Sequence, residues 1–379
     1  MADEISVLIV DDSAMMRNLI ARMIEETPGL AIAEKAMNGR FALQKIPRVN
    51  PDVICLDLEM PDMNGIEFLK ERKKLGIEIP VVILSSIAEK GARITMEALA
   101  LGASDFVTKP SGSVSMDIHT VKDTLMPMLL GYGDSYRRSQ GKKILPPDEY
   151  REKPVTQQTP DLSTYFTLAS TSVGEPANPP VQMRKSGKID IIAIGISTGG
   201  PDALRYVFSK LDADLPAPIL VVQHMPPGFT SEFAKSLNRI CPLEVKEAEE
   251  GDIVKRGCVF IAQGNKHMEV ERSGNETIIR VTDSPPVLRH RPSADVLFAS
   301  IALVYKNHSL GVIMTGMGRD GATQLGTIYK EGGITLGQDE KSAIVYGMPR
   351  VAWEMGHVME QVSLENMASR ICEITKASL

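Results

Sequence analysis

Ile191-Ile192-Ala193-Ile194-Gly195-Ile196-Ser197-Thr198-Gly199-Gly200 is an apolar strand pattern that runs into a serine set between glycines. A helix-like pattern follows at once, over residues 201–211. Gly195 and Gly199 permit a sharp turn that lifts Ser197 to the C-terminal end of the strand. The helix beyond would aim free backbone N–H groups and its positive dipole end at the same point. A serine nucleophile belongs there. So does a phosphate, and the motif by itself does not choose between them.

The same strand-then-helix grammar recurs on the C-terminal side. Residues 189–194, 219–222 and 310–314 are apolar strands, with helical patterns at 201–211, 229–240 and 321–330. Residues 258–282 alternate instead with period two, and Ser273-Gly274-Asn275 is a hairpin turn signal. Residues 188–379 therefore predict an α/β domain: a Rossmann-like, mostly parallel sheet with an antiparallel hairpin excursion.

Residues 1–130 repeat the pattern more regularly. Five short apolar runs, at 5–10, 31–36, 52–56, 81–84 and 105–108, alternate with amphipathic stretches. Leu19, Ile20, Met23 and Ile24 recur at helical spacing, as do Ile66, Leu69 and Lys73 beside Phe68 and Leu75. This predicts a doubly wound, five-stranded parallel sheet with helices on both faces. Between the two domains, residues 131–187 lose the pattern and hold seven of the chain's 24 prolines. A structureless stretch of that length inside one domain would count against it, so the segment is expected to be an interdomain linker. Within it, Tyr165, Phe166 and Leu168 could dock locally on a neighbouring domain.

At 379 residues the chain is long enough for two cores, and 43% hydrophobic with 24% charged residues is ordinary for a globular protein. Net charge is −6 and no basic stripe appears, which argues against nucleic acid as a partner. Cys55, Cys241, Cys258 and Cys372 lack zinc-like spacing, consistent with a reducing compartment. The first residues do not show a basic region followed by a long apolar run, and no apolar run in the sequence reaches spanning length. The expected location is the cytoplasm, without direct membrane insertion.

In the first domain Asp11 and Asp12 end the first strand, Asp57 the third and Ser85 the fourth, while Lys109, followed by Pro110, ends the fifth. In a doubly wound sheet these residues converge at one edge. Clustered carboxylates repel unless a cation lies among them, and hard oxygen ligands suit Mg²⁺. The alternative for Asp11 and Asp12 is that they cap a helix starting near Ala14. In the second domain Ser197 needs a base. His119, His224, His267, His290, His308 and His357 are on offer, and His224 stands directly after the strand next in sequence to the serine's. Met314-Thr315-Gly316-Met317-Gly318-Arg319-Asp320-Gly321 is a further apolar strand that breaks into glycines and presents an aspartate. Three parallel strands would thus bring serine, histidine and aspartate to one rim, as base-assisted acyl transfer requires. Each also has a bland reading: Ser197 as a helix cap, His224 as a buried hydrogen-bonded ring, Asp320-Gly321 as a turn.

Val10-Asp11-Asp12-Ser13, Asp57 to Gly65, Ser85 and Gly102-Ala103-Ser104-Asp105-Phe106-Val107-Thr108-Lys109-Pro110 resemble the receiver domain of two-component response regulators, a flavodoxin-like fold. The resemblance implies that Asp57 accepts a phosphoryl group from a histidine kinase of the chemotaxis system. It also implies that Asp11, Asp12, Asp57 and the backbone carbonyl of Glu59 hold Mg²⁺. Ser85 and Lys109 would engage the phosphoryl group, and Phe106 would swing inward on activation. Gly195 to Gly200, Val222-Gln223-His224-Met225-Pro226, Arg291-Pro292-Ser293-Ala294-Asp295-Val296-Leu297-Phe298 and Met314 to Gly321 resemble the CheB family of chemotaxis methylesterases. The order of receiver, linker and esterase is that family's own, although the linker looks longer than is usual. This resemblance implies a triad of Ser197, His224 and Asp320, with the Met317 backbone N–H helping to bind the oxyanion and no cofactor for the esterase. The implied substrates are γ-glutamyl methyl esters, and certain glutamines, on the cytoplasmic helices of chemoreceptors. The implied location is the receptor cluster. Two other classes stand beside this: a phosphorylation-dependent adaptor that only binds receptors, and a response regulator acting on DNA.

Overall fold

The computed structural model describes residues 4–86, 89–109, 115–142 and 188–377. The first unit runs β1 (Ile5–Val10), α1 (Ala14–Glu25), β2 (Leu30–Ala36), α2 (Gly39–Val49), β3 (Val53–Asp57), α3 (Gly65–Lys74), β4 (Val81–Ser85), α4 (Glu89–Ala100), β5 (Asp105–Thr108) and α5 (Ser115–Ser139). Its five strands are all parallel in the order β2-β1-β3-β4-β5. β3 and β4 are buried along their whole length, which is why they read as unbroken apolar runs. The order reverses beside β1, so the C-terminal ends of β1 and β3 share one crevice.

The second unit runs β6 (Ile191–Ile196), α6 (Gly200–Phe208), β7 (Ile219–Gln223), α7 (Phe229–Asn238), β8 (Glu244–Glu247), β9 (Cys258–Ile261), β10 (His267–Ser273), β11 (Glu276–Thr282), α8 (Ala294–Tyr305), β12 (Ser309–Ile313), α9 (Ala322–Lys330), β13 (Ile334–Gln338), α10 (Met348–Glu354), β14 (Glu360–Val362) and α11 (Leu364–Ala377). Seven strands form one parallel sheet in the order β14-β13-β12-β6-β7-β9-β8. The strands that carry Ser197, His224 and Asp320 at their ends are therefore the adjacent three, β6, β7 and β12. β10 and β11 form the antiparallel hairpin, with Ser273 opposite Glu276, so Gly274 and Asn275 make its turn.

Two expectations need correction. Residues 258–261 do not belong to the hairpin; β9 pairs in parallel with both β7 and β8. A four-residue apolar strand is too short for its period to reveal which sheet it joins. The linker boundary at 131 also falls inside α5, which continues to Ser139. Arg137 anchors that extension by donating from Nη1 to the Glu4 carbonyl at 2.9 Å. Residues 143–187, with Tyr165, Phe166 and Leu168, lie outside the described residues.

The two units meet where α4 packs on α7 and β5 on α6, and where Gly131 of α5 comes close to the backbone at Ile344. Phe106 stacks on Phe229, with ring centroids 4.8 Å apart and planes 8° from parallel. Its neighbour Asp105 accepts through Oδ2 from the Gly199 N–H at 2.7 Å. Among the described residues no helix is long and apolar enough to cross a membrane, and all four cysteines are free.

Candidate active site

Ser197 follows the last residue of β6, and its turn is fixed from three sides. Its N–H donates to the Thr315 carbonyl at 3.0 Å, its carbonyl accepts from the Gly200 N–H at 2.8 Å, and Gln223 Nε2 donates to the same carbonyl at 2.9 Å. Gly199 takes a left-handed φ of +81°, which a side chain would resist, and serves as the N-cap of α6. Ser197 is thus not the cap of α6. Its hydroxyl is left for other work.

That hydroxyl lies 3.0 Å from His224 Nδ1, and His224 Nε2 lies 2.8 Å from Asp320 Oδ2. The imidazole is used in the reverse of the familiar sense, in which Nε2 faces the serine. Asp320 is buried at the N-terminus of α8. Its Oδ1 accepts from Ser293 Oγ at 2.6 Å and from the Asp295 N–H at 3.3 Å, and its Oδ2 also accepts from the Ala294 N–H at 2.6 Å. Burial works to raise its pKa, but the bonds from His224, Ser293 and Ala294 outweigh it and hold the carboxyl below the ordinary range. An ionised Asp320 whose oxygens both accept requires Nε2 to carry a proton, which leaves the Nδ1 lone pair facing Ser197. Hydroxyl, imidazole and carboxylate in series are the arrangement that activates a serine for acyl transfer.

Gly316 packs against the serine: a Cβ there would come within 2.8 Å of Ser197 Cβ and 2.4 Å of Met348 Sδ. Met317 follows it, and among the described residues its N–H has no hydrogen-bond partner. A free amide beside the serine is the kind of donor an oxyanion needs.

In the first unit, Asp11, Asp12 and Asp57 each present an oxygen within 4.8 Å of the others. Lys109 Nζ sits 2.7 Å from Asp57 Oδ2 and 3.3 Å from Asp11 Oδ2. Burial raises the pKa of Asp57 against the pull of Lys109, and the two carboxylates raise that of Lys109 against its own burial. The Glu59 N–H donates to Asp57 Oδ1 at 3.3 Å. Ser13, not Asp11 or Asp12, caps α1 by accepting from the Met16 N–H at 3.3 Å, so the acidic pair is not needed as a helix cap. Three hard oxygen donors at this spacing fit a divalent cation such as Mg²⁺. Ser85 Oγ lies 2.6 Å from Thr95 Oγ1 on α4. Phe106 is buried against Phe229.

The remaining histidines divide cleanly. His267, His308 and His357 bond to the carbonyls of Pro285, Lys188 and Ala322 and lie apart from the serine. The side chain of His119 lies outside the described residues. Three residues of the site carried no role in the sequence reading: Gln223, which ties the serine and histidine loops together; Ser293, which buttresses Asp320; and His290, which stacks on His224. Ser293 has a visible signal, an N-cap residue opening an apolar helix. The other two have none.

The CheB methylesterase family model matches residues 192–371, and the response regulator receiver domain model matches residues 7–118. A protein-glutamate methylesterase/protein-glutamine glutaminase of Treponema denticola is 58% identical over 97% of this chain and 98% of its own length. The Treponema pallidum protein of the same name is 53% identical over 97% of this chain and 96% of its own length. The crystal structure of the Thermotoga maritima CheB methylesterase catalytic domain is 36% identical, covers 50% of this chain and all of that one, and gives a TM-score of 0.48.

Proposed function

The chain belongs to the CheB methylesterase family, and we propose that Ser197, His224 and Asp320 carry out its protein-glutamate methylesterase and protein-glutamine glutaminase chemistry under control of the receiver. Ser197 Oγ attacks the carbonyl carbon of a γ-glutamyl methyl ester while its proton passes to His224 Nδ1, 3.0 Å away. Asp320 holds the Nε2–H and stabilises the imidazolium. The Met317 N–H faces the developing oxyanion; losing one such donor typically costs on the order of a hundredfold in rate. His224 then returns the proton to the departing methoxide, methanol leaves, and water hydrolyses the acyl-serine to glutamate. A glutamine side chain follows the same course with ammonia as the leaving group.

The substrates are helices in the cytoplasmic region of chemoreceptors, so the protein works in the cytoplasm at receptor clusters. A chemotaxis histidine kinase supplies the phosphoryl group to Asp57. Asp11, Asp12, Asp57 and the Glu59 carbonyl would hold Mg²⁺, which supplies charge neutralisation on the phosphoryl oxygens when bound. Ser85 and Lys109 engage the phosphoryl group, and Phe106 turns inward. Leaving Phe229 exposes the cleft, because Asp105 and Phe106 are consecutive and both touch the esterase unit. The observation that carries the reading is the unbroken line of contacts from Ser197 through His224 to Asp320.

The test is methanol release from methylated receptor membranes by the full chain, with and without a small-molecule phosphodonor. The donor stimulates the parent protein, Ser197→Ala releases no methanol, and residues 188–379 alone exceed the unphosphorylated full chain. An active Ser197→Ala protein would overturn the nucleophile assignment. A truncated protein no faster than the full chain would overturn inhibition by the receiver.

A further inference from the structure

The ring of His290 lies flat on that of His224, with centroids 3.9 Å apart and planes 7° from parallel. Its placement is bought by an unusual turn. Val287 and His290 exchange both backbone hydrogen bonds, at 3.1 and 2.8 Å, and the two residues between them take left-handed conformations: Leu288 at φ +49° and Arg289 at φ +70°. Turns of this kind are ordinarily filled by Gly, Asn or Asp, since a Cβ strains them. Strain of this sort is kept where the surrounding structure over-determines a side chain's position. The side chain so placed is His290. Among the described residues its ring nitrogens have no hydrogen-bond partner, so the stack is its directional contact.

Ser197 and Asp320 hold His224 only at Nδ1 and Nε2. A ring pinned at two atoms can still rock about the line joining them, which tips both hydrogen bonds out of plane. A flat surface against one face removes that motion. A face that remains neutral does so without repelling the imidazolium, and a π-face attracts it. Burial, followed by the charge of His224, lowers the pKa of His290 to about 4, so it stays uncharged when His224 is protonated.

We propose that His290 is a positioning residue of the esterase: its ring, presented by the strained 287–290 turn, clamps the His224 imidazole in the plane that joins Ser197 to Asp320. The proposal rests on the reading of Ser197 and His224 as nucleophile and base. It assigns His290 no contact with substrate.

The experiment compares His290→Ala, His290→Leu and His290→Phe in the full chain, with Ser197→Ala as control. Steady-state methanol release is measured under saturating phosphodonor, together with thermal melting and phosphorylation of Asp57. Misalignment of a catalytic group by about 1 Å can cost a hundredfold, so kcat should fall on the order of 10- to 100-fold in His290→Ala and His290→Leu. KM should stay within about twofold, and the aromatic His290→Phe should stand within about threefold of the parent kcat. His290→Leu has bulk without a flat face, and so separates clamping from simple filling of space. The proposal fails if His290→Ala keeps the parent kcat, if His290→Leu works as well as His290→Phe, or if the loss appears in KM alone. Should His290→Ala fail to melt cooperatively, His290→Leu and His290→Phe still decide between ring and bulk; should His290→Leu or His290→Phe fail, His290→Met or His290→Tyr takes its place in the comparison. An active Ser197→Ala protein would instead bring down the underlying triad reading, whatever the His290 variants do.

Discussion

Asp57 and Asp320 both stand at the C-terminal rim of a parallel sheet, buried beside a basic side chain, yet their surroundings differ in kind. Asp57 is met by one ammonium, at 2.7 Å, and one long amide contact, at 3.3 Å, and its pKa is raised. Asp320 is met by a hydroxyl, two amides and an imidazole, and its pKa is lowered. A carboxylate with lone pairs to spare can attack phosphorus. One whose lone pairs are all engaged can only orient and stabilise its neighbour. The same strand-end geometry therefore yields a phosphoryl acceptor in one unit and a support for a base in the other, and the count of donors around the oxygens marks which is which.

The sharpest way to break this contrast is to make each carboxylate an amide. Asp320→Asn keeps the shape but can no longer demand a proton on Nε2, so His224 can settle in the tautomer that has no lone pair toward Ser197. The expected cost is about 10⁴-fold in kcat, by analogy with other serine triads. Asp57→Asn should leave unphosphorylated activity within about twofold of the parent and abolish stimulation by a phosphodonor. Methanol release with and without donor checks both. A large basal loss in Asp57→Asn, or a small one in Asp320→Asn, would erase the distinction.

A smaller effect tests the buttress alone. Ser293→Ala removes the 2.6 Å bond to Asp320 Oδ1 and the N-cap of α8 while leaving the triad intact. The lost cap should lower stability by about 1 kcal/mol. The loosened carboxylate should lower kcat by about tenfold, because a charge-assisted hydrogen bond contributes roughly 1.5–3 kcal/mol. Thermal melting and kcat are read on the same protein, and a melting shift with unchanged kcat would make Ser293 a cap and nothing more.

Most of this site was legible because it sits where apolar runs stop. Val53–Leu56 before Asp57, Ile219–Val222 before His224 and Leu310–Met314 before the Gly316 loop are uniform runs with abrupt ends, and only the rim of a parallel sheet places such ends together. The extension of α5 was not legible, since Pro127, Gly131 and Gly133 look like helix breakers. Tertiary contact explains them instead. A Cβ on Gly133 would come within 2.2 Å of Ile5 Cγ2, and one on Gly131 within 2.2 Å of the Ile344 carbonyl. Those glycines let a helix approach closely, and packing outweighs their poor propensity. His290 was illegible for a different reason. Its role depends on two left-handed residues that no propensity would assign to leucine and arginine.

The smallest expected effect concerns the boundary between the two regions. Burial first, and then the nearby charge of Asp202, raise the pKa of Asp105 to about 7, against the opposing hydrogen bonds from Gly199, Phe106 and Tyr132. A carboxyl freed by undocking would titrate near its usual value of about 4. Between those limits the docked arrangement binds more protons than the undocked one, so docking weakens as pH rises from about 4 and the change levels off above about 7. Asp202, itself buried with its pKa raised, would add in the same direction. The measurable quantity is the activity of the unphosphorylated full chain divided by that of residues 188–379, which cancels the pH dependence of the triad. That ratio should rise between pH 6 and pH 8 by a few-fold, and by no more than about tenfold. In Asp105→Asn, which keeps an acceptor for the Gly199 N–H but cannot ionise, the rise should shrink to whatever Asp202 supplies. A ratio that does not change with pH in the parent protein would mean that the Asp105 carboxyl keeps the same pKa docked and undocked, and that its titration does not set the strength of docking.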